Sequence, residues 1–257
     1  MRLLTLIWRG LVPRTLIFLY IMRTFANCFC IALFCITVLC GCGQSEGSGN
    51  VLTDIKDVSG FGSIKVSGVQ SLDISQGDDF FVKVTADDNV IKSVLAYQRD
   101  GVLVIEKRSN VINTSIEVQV VMPRLQLISV QGRVRVMCGK MVSADDMEVR
   151  LEGSGQIEFA DVETSGKIGV YTRGSGNVRL GGGCRALKIR NDGSGSVFAD
   201  GVDCGDIQAR LKGPGSVFVK TDGVLVVSLE GAGSLFYQGN PAQLKRQITG
   251  SGSVIQR

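Results

Sequence analysis

Apolar and polar residues alternate along the second half of the chain with a period of two, interrupted by regularly spaced Gly-x-Gly triplets. The triplets begin at Gly153, Gly174, Gly193, Gly213, Gly231 and Gly250, and a degenerate copy begins at Gly132. Successive first glycines are therefore 18 to 21 residues apart. A repeat of this length with alternating segments predicts two or three short β-strands per unit.

Alignment of the copies on the first glycine shows which face of each strand is buried. Positions four and two before the glycine and four after it are mostly apolar, as Val149, Leu151 and Ile157 illustrate. A unit of about 20 residues cannot enclose a core alone, but stacked units can, at about 4.8 Å per parallel strand. The pattern therefore predicts an all-β fold, a solenoid of Gly-x-Gly coils in which the glycines mark tight corners.

The first half of the chain carries the same alternation less regularly. Segments such as residues 64–66, 72–74, 81–84, 102–105 and 116–121 predict strands, with turns between them. Residues 89–97 predict one helical turn or a short helix. No linker separates the two halves, so residues 51–257 are interpreted as one domain.

The N-terminal residues have the character of an export signal. An apolar run, Cys28–Leu39, follows Arg23 and ends in Leu39-Cys40-Gly41-Cys42, which resembles the bacterial lipoprotein signal. In that interpretation residues 1–42 are the leader, Cys42 is lipidated, and residues 43–50 form a flexible tether. A translation start at Met22 would give a leader of conventional length.

A retained anchor is the alternative interpretation of the leader. Residues 24–43 contain no charge and are long enough to span a bilayer as an uncleaved helix. Either anchor predicts an exported bacterial envelope protein held at a membrane. The residue after Cys42 is Gly43 and not the aspartate that favours inner-membrane retention, so we expect the outer membrane. Both its periplasmic face and its outer surface fit the sequence.

Composition narrows the chemistry further. The chain has no histidine, which excludes His-assisted triads and zinc sites built on imidazole. The formal charge of +4 comes from four arginines in residues 1–41, and the remainder is neutral. We therefore expect no nucleic-acid partner, and no cofactor or metal site.

One pair of acids has the repeat positions of a candidate catalytic pair. Glu163 and Asp203 occupy the same repeat position two coils apart, about 9.6 Å at the expected rise. That spacing is at the edge of inverting-glycosidase geometry. No third acidic or basic residue joins them, so the sequence predicts no catalytic residues and no enzyme.

Two cysteines share a repeat position. Cys184 and Cys204 each precede the next first glycine by nine residues, so they should be neighbours on successive coils. An exported protein permits a disulfide there, and two stacked thiols are the alternative. Cys138 has no evident partner.

An aromatic column breaks the rule that outward positions are polar. Phe198, Phe218 and Phe236, followed by Ile255, lie five residues after the first glycine of their coils. Because their neighbours point inward, these side chains should point outward and form a contact surface. The alternative is that a neighbouring loop covers them.

The C-terminal segment resembles the strand of every earlier coil. Residues 253–257 would complete the last coil, leaving an apolar end that needs protection. We expect a second copy of the chain to pack there, or residues 240–246 to fold over the end.

The order of these features resembles the head GIN domain family, which is described as an adhesin domain of bacterial surface proteins. The resemblance covers residues 51–257 and is carried by five segments and the Gly-Ser-Gly coils. The segments are 61–66 (FGSIKV), 72–77 (LDISQG), 84–89 (VTADDN), 103–105 (LVI) and 118–125 (VQVVMPRL). It implies a right-handed parallel β-helix-like fold, export, frequent lipoprotein signals and no assigned catalytic residues.

Taken together, the sequence predicts a lipid-anchored envelope protein that serves as a binding or adhesion scaffold for a protein or glycan ligand. The alternative is a structural envelope component that self-associates. A carbohydrate-active enzyme on a β-helix is the less favoured third class.

Overall fold

The computed structural model describes residues 46–108, 110–112 and 114–257. The predicted leader 1–42, the start at Met22, the lipidation site Cys42 and the first tether residues 43–45 lie outside the described residues. Within the described part, no helix is long and apolar enough to cross a membrane.

Most of the described chain is β-strand, and most of the strands are short. The N-terminal part contains β1 (Val51–Lys56), β2 (Ser63–Ser67), β3 (Ser71–Gln76), β4 (Phe81–Asp87), a 3-10 turn (Ile91–Ser93), β5 (Val94–Arg99), β6 (Val102–Lys107) and β7 (Ile116–Met122). The middle contains β8 (Leu127–Gly132), β9 (Arg135–Ser143), β10 (Met147–Gly153), β11 (Gln156–Thr164), β12 (Lys167–Gly174), β13 (Asn177–Gly193) and β14 (Val197–Lys212). The C-terminal part contains β15 (Ser216–Lys220), β16 (Val224–Glu230), β17 (Ser234–Gln238), β18 (Gln243–Thr249) and β19 (Ser253–Gln256).

These strands form the predicted β-solenoid of stacked parallel coils. One parallel ladder runs β6, β2, β8, β10, β12, then through the second halves of β13 and β14 to β16 and β18. A second runs β7, β3, β9, β11, then through the first halves of β13 and β14 to β15, β17 and β19. Gly153 pairs with Gly174 and Gly174 with Gly193, so the sequence repeat is one coil.

The first coils do not follow chain order. The β2–β3 coil lies between the β6–β7 coil and the β8–β9 coil. Strand β5 pairs antiparallel with β6, and β4 pairs antiparallel with both β7 and β1. Of the predicted helical segment 89–97, only Ile91–Ser93 are helical, and the residues from Val94 onward belong to β5.

Alternation places apolar side chains in one continuous interior. In β10 and β11, Val149, Leu151, Ile157 and Phe159 are buried while the residues between them face outward. β-Branched and leucine side chains dominate this core, as expected for strands packed on their inner face. The interior therefore has the period that the sequence predicts.

The second glycine of each corner lies directly on the coil before it. A Cβ atom at Gly155, Gly176, Gly195, Gly215, Gly233 or Gly252 would be 1.9 to 2.6 Å from a backbone carbonyl oxygen of that coil. The first glycine also adopts positive φ in most coils, 125° at Gly153 and 112° at Gly174. Glycine is therefore required at the corner both by the close stacking and by backbone conformation.

The second part of the expected tether is fixed to the folded body. The amide N–H of Gly47 donates to the carbonyl of Ile112 (3.1 Å), and the N–H of Gly49 donates to Asp87 Oδ1 (3.1 Å). The Ser48 hydroxyl donates to Asp88 Oδ1 (2.5 Å). Residues 46–50 are therefore held against the folded body, and we call them the clasp.

The last described coil is exposed at its outer side. Strand β18 pairs parallel with β16, so residues 243–246 extend the sheet and do not fold over the end, contrary to one of the two expectations. In the inward column of β18, Leu244 is 37% exposed and Ile248 is 41% exposed. Between them, Arg246 pairs with the inward Val227, which places a charged residue in the interior column.

Candidate contact surface

The predicted aromatic column is a regular stack on the outer face of four successive coils. Phe198 pairs with Phe218, Phe218 with Phe236, and Phe236 with Ile255. Ring centroids are 5.0 Å apart for the first pair and 4.9 Å for the second, with interplanar angles of 6° and 10°. We call Phe198, Phe218, Phe236 and Ile255 the aromatic ladder.

Strand alternation explains why these side chains point outward. Val197, Val217 and Leu235 immediately precede the three phenylalanines and are fully buried in the interior. The phenylalanines themselves are half-buried, and Ile255 is 41% exposed. The ring spacing equals the strand spacing, so each ring packs face to face on the next.

Two guanidinium groups cover part of the ladder. The guanidinium of Arg179 lies 4.7 Å from the centroid of Phe198. That of Arg257 lies 4.6 Å from Phe236 and 5.1 Å from Phe218. Because the ring faces are used by one another and by Arg179, the ladder presents ring edges and cations to solvent.

A serine column, which the sequence pattern does not predict as a site, runs beside the ladder. Ser216 pairs with Ser234, and Ser234 pairs with Ser253. Ser196 occupies the same position one coil earlier, three residues after its first glycine. The serines recur three residues after the first glycine, but serine is ordinary at an outward strand position, so the sequence pattern alone does not mark them as a site.

A groove lies next to Arg179 at the edge of the same face. Its volume is about 590 Å³. It is lined by Glu158, Phe159, Ala160, Arg179, Leu180, Gly181, Gly182, Asp200 and Gly201. The missing side chains of the glycines open the groove, and its charged groups can bind polar ligand atoms.

The two repeat cysteines are brought together as expected. Cys184 pairs in register with Cys204, their Cα atoms are 4.9 Å apart, and the sulfur atoms form a disulfide. Cys138 is a buried free thiol, and desolvation raises its pKa to about 12. A thiol held in the protonated form is a poor nucleophile, which makes Cys138 an unreactive core residue.

The candidate acid pair, Glu163 and Asp203, is exposed to solvent. Glu163 pairs with Gly183 and Gly183 with Asp203, so the acids are two coils apart. The Asp203 side chain is 81% exposed, and the ammonium of Lys220 lies 2.8 Å from it. A general acid works in a site shielded from water, and both of these side chains are exposed to solvent. Among the described residues, no group of three or more Cys, Asp or Glu could hold a metal ion.

Comparison with known families identifies the domain. Residues 60–241 match the family described as "Putative auto-transporter adhesin, head GIN domain". No curated protein matches the chain.

Solved structures with the same fold come from Bacteroides and Parabacteroides species. A "putative adhesin" from Bacteroides fragilis superposes with a TM-score of 0.78 at 20% identity, over 82% of this chain and 99% of that one. A "putative lipid binding protein" from Parabacteroides distasonis has a TM-score of 0.67 at 19% identity, over 84% and 100% of the two chains. A "putative adhesin" from the same organism has a TM-score of 0.66 at 21% identity, over 84% and 100%. The family match spans most of the described solenoid, and the chain therefore belongs to the head GIN domain family.

Proposed function

We propose that this protein is a non-catalytic binding module of the bacterial cell envelope, and that the aromatic ladder is its contact surface. One observation carries the proposal: three half-buried phenylalanines and an exposed isoleucine form a continuous outward column flanked by two arginines. Aromatic and arginine side chains dominate the energetics of protein contact surfaces. The serine column adds hydroxyl groups that suit a polar rim around such a surface.

The proposed ligand is a protein or a glycan. The family description and two of the structural neighbours carry the word adhesin, which supports an adhesive role for this chain. The solvated Glu163 and Asp203 support a non-enzymatic role. Because the ring faces of the ladder are occupied, a glycan would contact ring edges and guanidiniums rather than stack on a ring.

Ladder substitutions test the proposal. The protein and its variants would be screened on an array of glycans and extracellular-matrix proteins. We expect Phe218→Ser and Arg179→Ala each to weaken binding by about tenfold or more, the range for a central contact residue. Met137→Ser is the matched control, because Met137 is 52% exposed in the same column but four coils from Phe218. Equal binding by all three variants, with unchanged urea midpoints, would reject the ladder as the contact surface.

We also propose that the module is held at the membrane through Cys42, in the outer membrane. The sequence Leu39-Cys40-Gly41-Cys42 and the disulfide Cys184–Cys204 support export, since disulfides persist in oxidising compartments. Mass spectrometry of the mature N-terminus should find a diacylglyceryl group on Cys42. An unmodified, cleaved N-terminus would contradict this anchor, whereas an intact leader would indicate the retained one.

Self-association is the second candidate, favoured by the last described coil. Leu244, Ile248 and Ile255 are each more than a third exposed there. A second copy that added its strands to β18 and β19 would cover them. Analytical ultracentrifugation separates the two candidates, because a strict monomer at high concentration contradicts a self-associating role.

A further inference from the structure

The clasp fixes the chain at a point very close to the proposed anchor. Six hydrogen bonds join it to Asp87, Asp88 and Asn89 at the end of β4, in addition to the bond from Gly47 to Ile112. Among them, the Asn50 side-chain amide donates to Asp88 Oδ2 (3.0 Å) and the Asn89 amide donates to the Glu46 carbonyl (2.9 Å). The N–H of Asp88 returns a bond to the carbonyl of Asn50 (2.9 Å). The position of Glu46 is therefore set by the solenoid and not by a free tether.

The remaining connection is short. Only residues 43–45 separate Cys42 from Glu46. Four fully extended Cα steps reach at most about 14 Å. The same limit holds for the alternative anchor, because the uncharged span 24–43 ends at Gly43. The end of the solenoid that holds the clasp can therefore stand no further than this from the lipid surface.

That end exposes apolar side chains on edge strand β1. Ile55 is 64% exposed and Val51 is 57% exposed, and their even spacing puts them on one face of the strand. Phe81 on β4 is 38% exposed and precedes Lys83, the partner of Ile55, by two residues, so it shares that face. Ile112, which pairs with Glu46, is 39% exposed. We call Val51, Ile55, Phe81 and Ile112 the apolar end.

The charges around the apolar end do not form a basic patch. Lys56 is paired with Asp54 (2.6 Å), and Asp87 and Asp88 accept the hydrogen bonds of the clasp. Lys83 lies between Ile55 and Phe81 on the same face. This arrangement favours insertion of apolar side chains at the lipid interface over attraction to anionic headgroups.

We propose that the solenoid is seated on the membrane by its N-terminal end, with the apolar end in the lipid interface and the coils stacked away from the bilayer. The proposal rests on the membrane anchor proposed above. It assigns a contact with lipid to Val51, Ile55, Phe81 and Ile112, and it directs the aromatic ladder away from the membrane.

Site-directed fluorescence quenching tests the orientation. Ile55→Cys and Ile248→Cys variants of the anchored protein would be labelled with bimane and placed in phosphatidylcholine nanodiscs with brominated acyl chains. The native cysteines of the body do not compete for the label, because Cys138 is buried and Cys184 is bonded to Cys204. We expect about twofold quenching at position 55, because interfacial side chains reach the acyl boundary, and none at position 248.

A second pair of substitutions controls for the possibility that the dye enters the lipid by itself. In Val51→Asp/Phe81→Asp protein we expect the quenching at position 55 to be lost, and persistent quenching there would overturn the proposal. If mass spectrometry finds the acyl group or the intact leader but position 55 is not quenched, the membrane seating is wrong. The anchor would stand in that case. If neither anchor is found, both the anchor and the membrane seating fail.

Discussion

The glycines at the corners are explained by distance rather than by flexibility. At Gly195 an added Cβ would lie 1.9 Å from the carbonyl oxygen of Gly176, inside any possible van der Waals contact. The middle residue of the same triplet, Ser194, is exposed. The corner therefore constrains its two glycines and leaves the residue between them free to vary, as Ser, Pro and Ala do along the column.

We predict that Gly195→Ala is strongly destabilising. The new methyl group must push two coils apart and break their corner hydrogen bonds, so the free energy of unfolding should fall by more than about 2 kcal/mol. Gly139→Ala is the matched control, since a Cβ there meets nothing within 4 Å. Urea titration measures both variants, and equal midpoints would contradict the steric explanation.

The disulfide is predicted to stabilise the stack through the unfolded state. It closes a loop with a sequence separation of 20, for which the loss of chain entropy is worth about 3 kcal/mol. The double variant Cys184→Ser/Cys204→Ser should lower the free energy of unfolding by about that amount. Reducing agent should reproduce the loss in the native protein and leave the double variant unchanged.

Strands and coils followed from the sequence wherever the repeat is regular. The alignment on the glycines identified the buried columns, the neighbouring cysteines and the outward aromatic column. It could not explain Thr172 and Asn191, which stand in the apolar column two residues before the glycine. The structure shows them buried and bonded, the Thr172 hydroxyl to Asn191 Oδ1 (2.9 Å) and the Asn191 amide to the Gly195 carbonyl (2.7 Å).

Most strands of the N-terminal half are predicted correctly, but the order in which they pair is not, for a physical reason. Ile64 of β2 pairs with Leu103 on one side and Ile128 on the other. These partners are at unequal sequence distances, so no period reveals them. The clasp also depends on partners that are distant in the sequence, Asp87 and Asp88. Without them, a run of Gly, Ser and Asn is typical of a flexible tether.

The clasp is predicted to depend on the charge of Asp88. Hydrogen bonds from Ser48 and then Asn50 lower the pKa of Asp88 below its ordinary value of 3.8. Because the pKa is lower in the folded state, the ionised carboxylate stabilises the fold fully above pH 3.8. This stabilisation is lost as the pH falls through the pKa of the folded state. The NMR shifts of the Ser48 and Asn50 side chains should follow that titration.

Asp88→Asn is the corresponding variant. It should leave the Ser48 and Asn50 signals independent of pH over the same range, because the titrating carboxylate is gone. A midpoint above 3.8 in the native protein would contradict the hydrogen-bonded carboxylate.

The molecule as a whole has two unlike ends. At one end, the antiparallel strands β1, β4 and β5 lie beyond the first parallel coil, which is formed by β6 and β7. At the other end, β18 and β19 have no strand on their outer side among the described residues. An open parallel edge invites pairing with another chain. The inward Arg246 opposes this, since its charge would be buried by any strand laid over it.

We predict that Arg246→Val increases self-association. The substitution continues the column of Val227 and makes the inward row of β18 apolar from Leu244 to Ile248. Sedimentation velocity should then show a larger concentration-dependent shift than in the native protein. Lys245→Val, on the outward face of the same strand, is the control, and equal behaviour of the two variants would contradict a protective role for Arg246.

Because the coils are in register, the length of the molecule is proportional to the number of its coils. Because each coil repeats the same columns and corners, a duplication of one whole coil adds about 4.8 Å of length without changing either end. The added coil would also extend the aromatic ladder by one rung if it carried phenylalanine at the outward position. Relatives with more or fewer coils would thus present the same surface chemistry at different heights, and an insertion that is not a whole coil would break the columns.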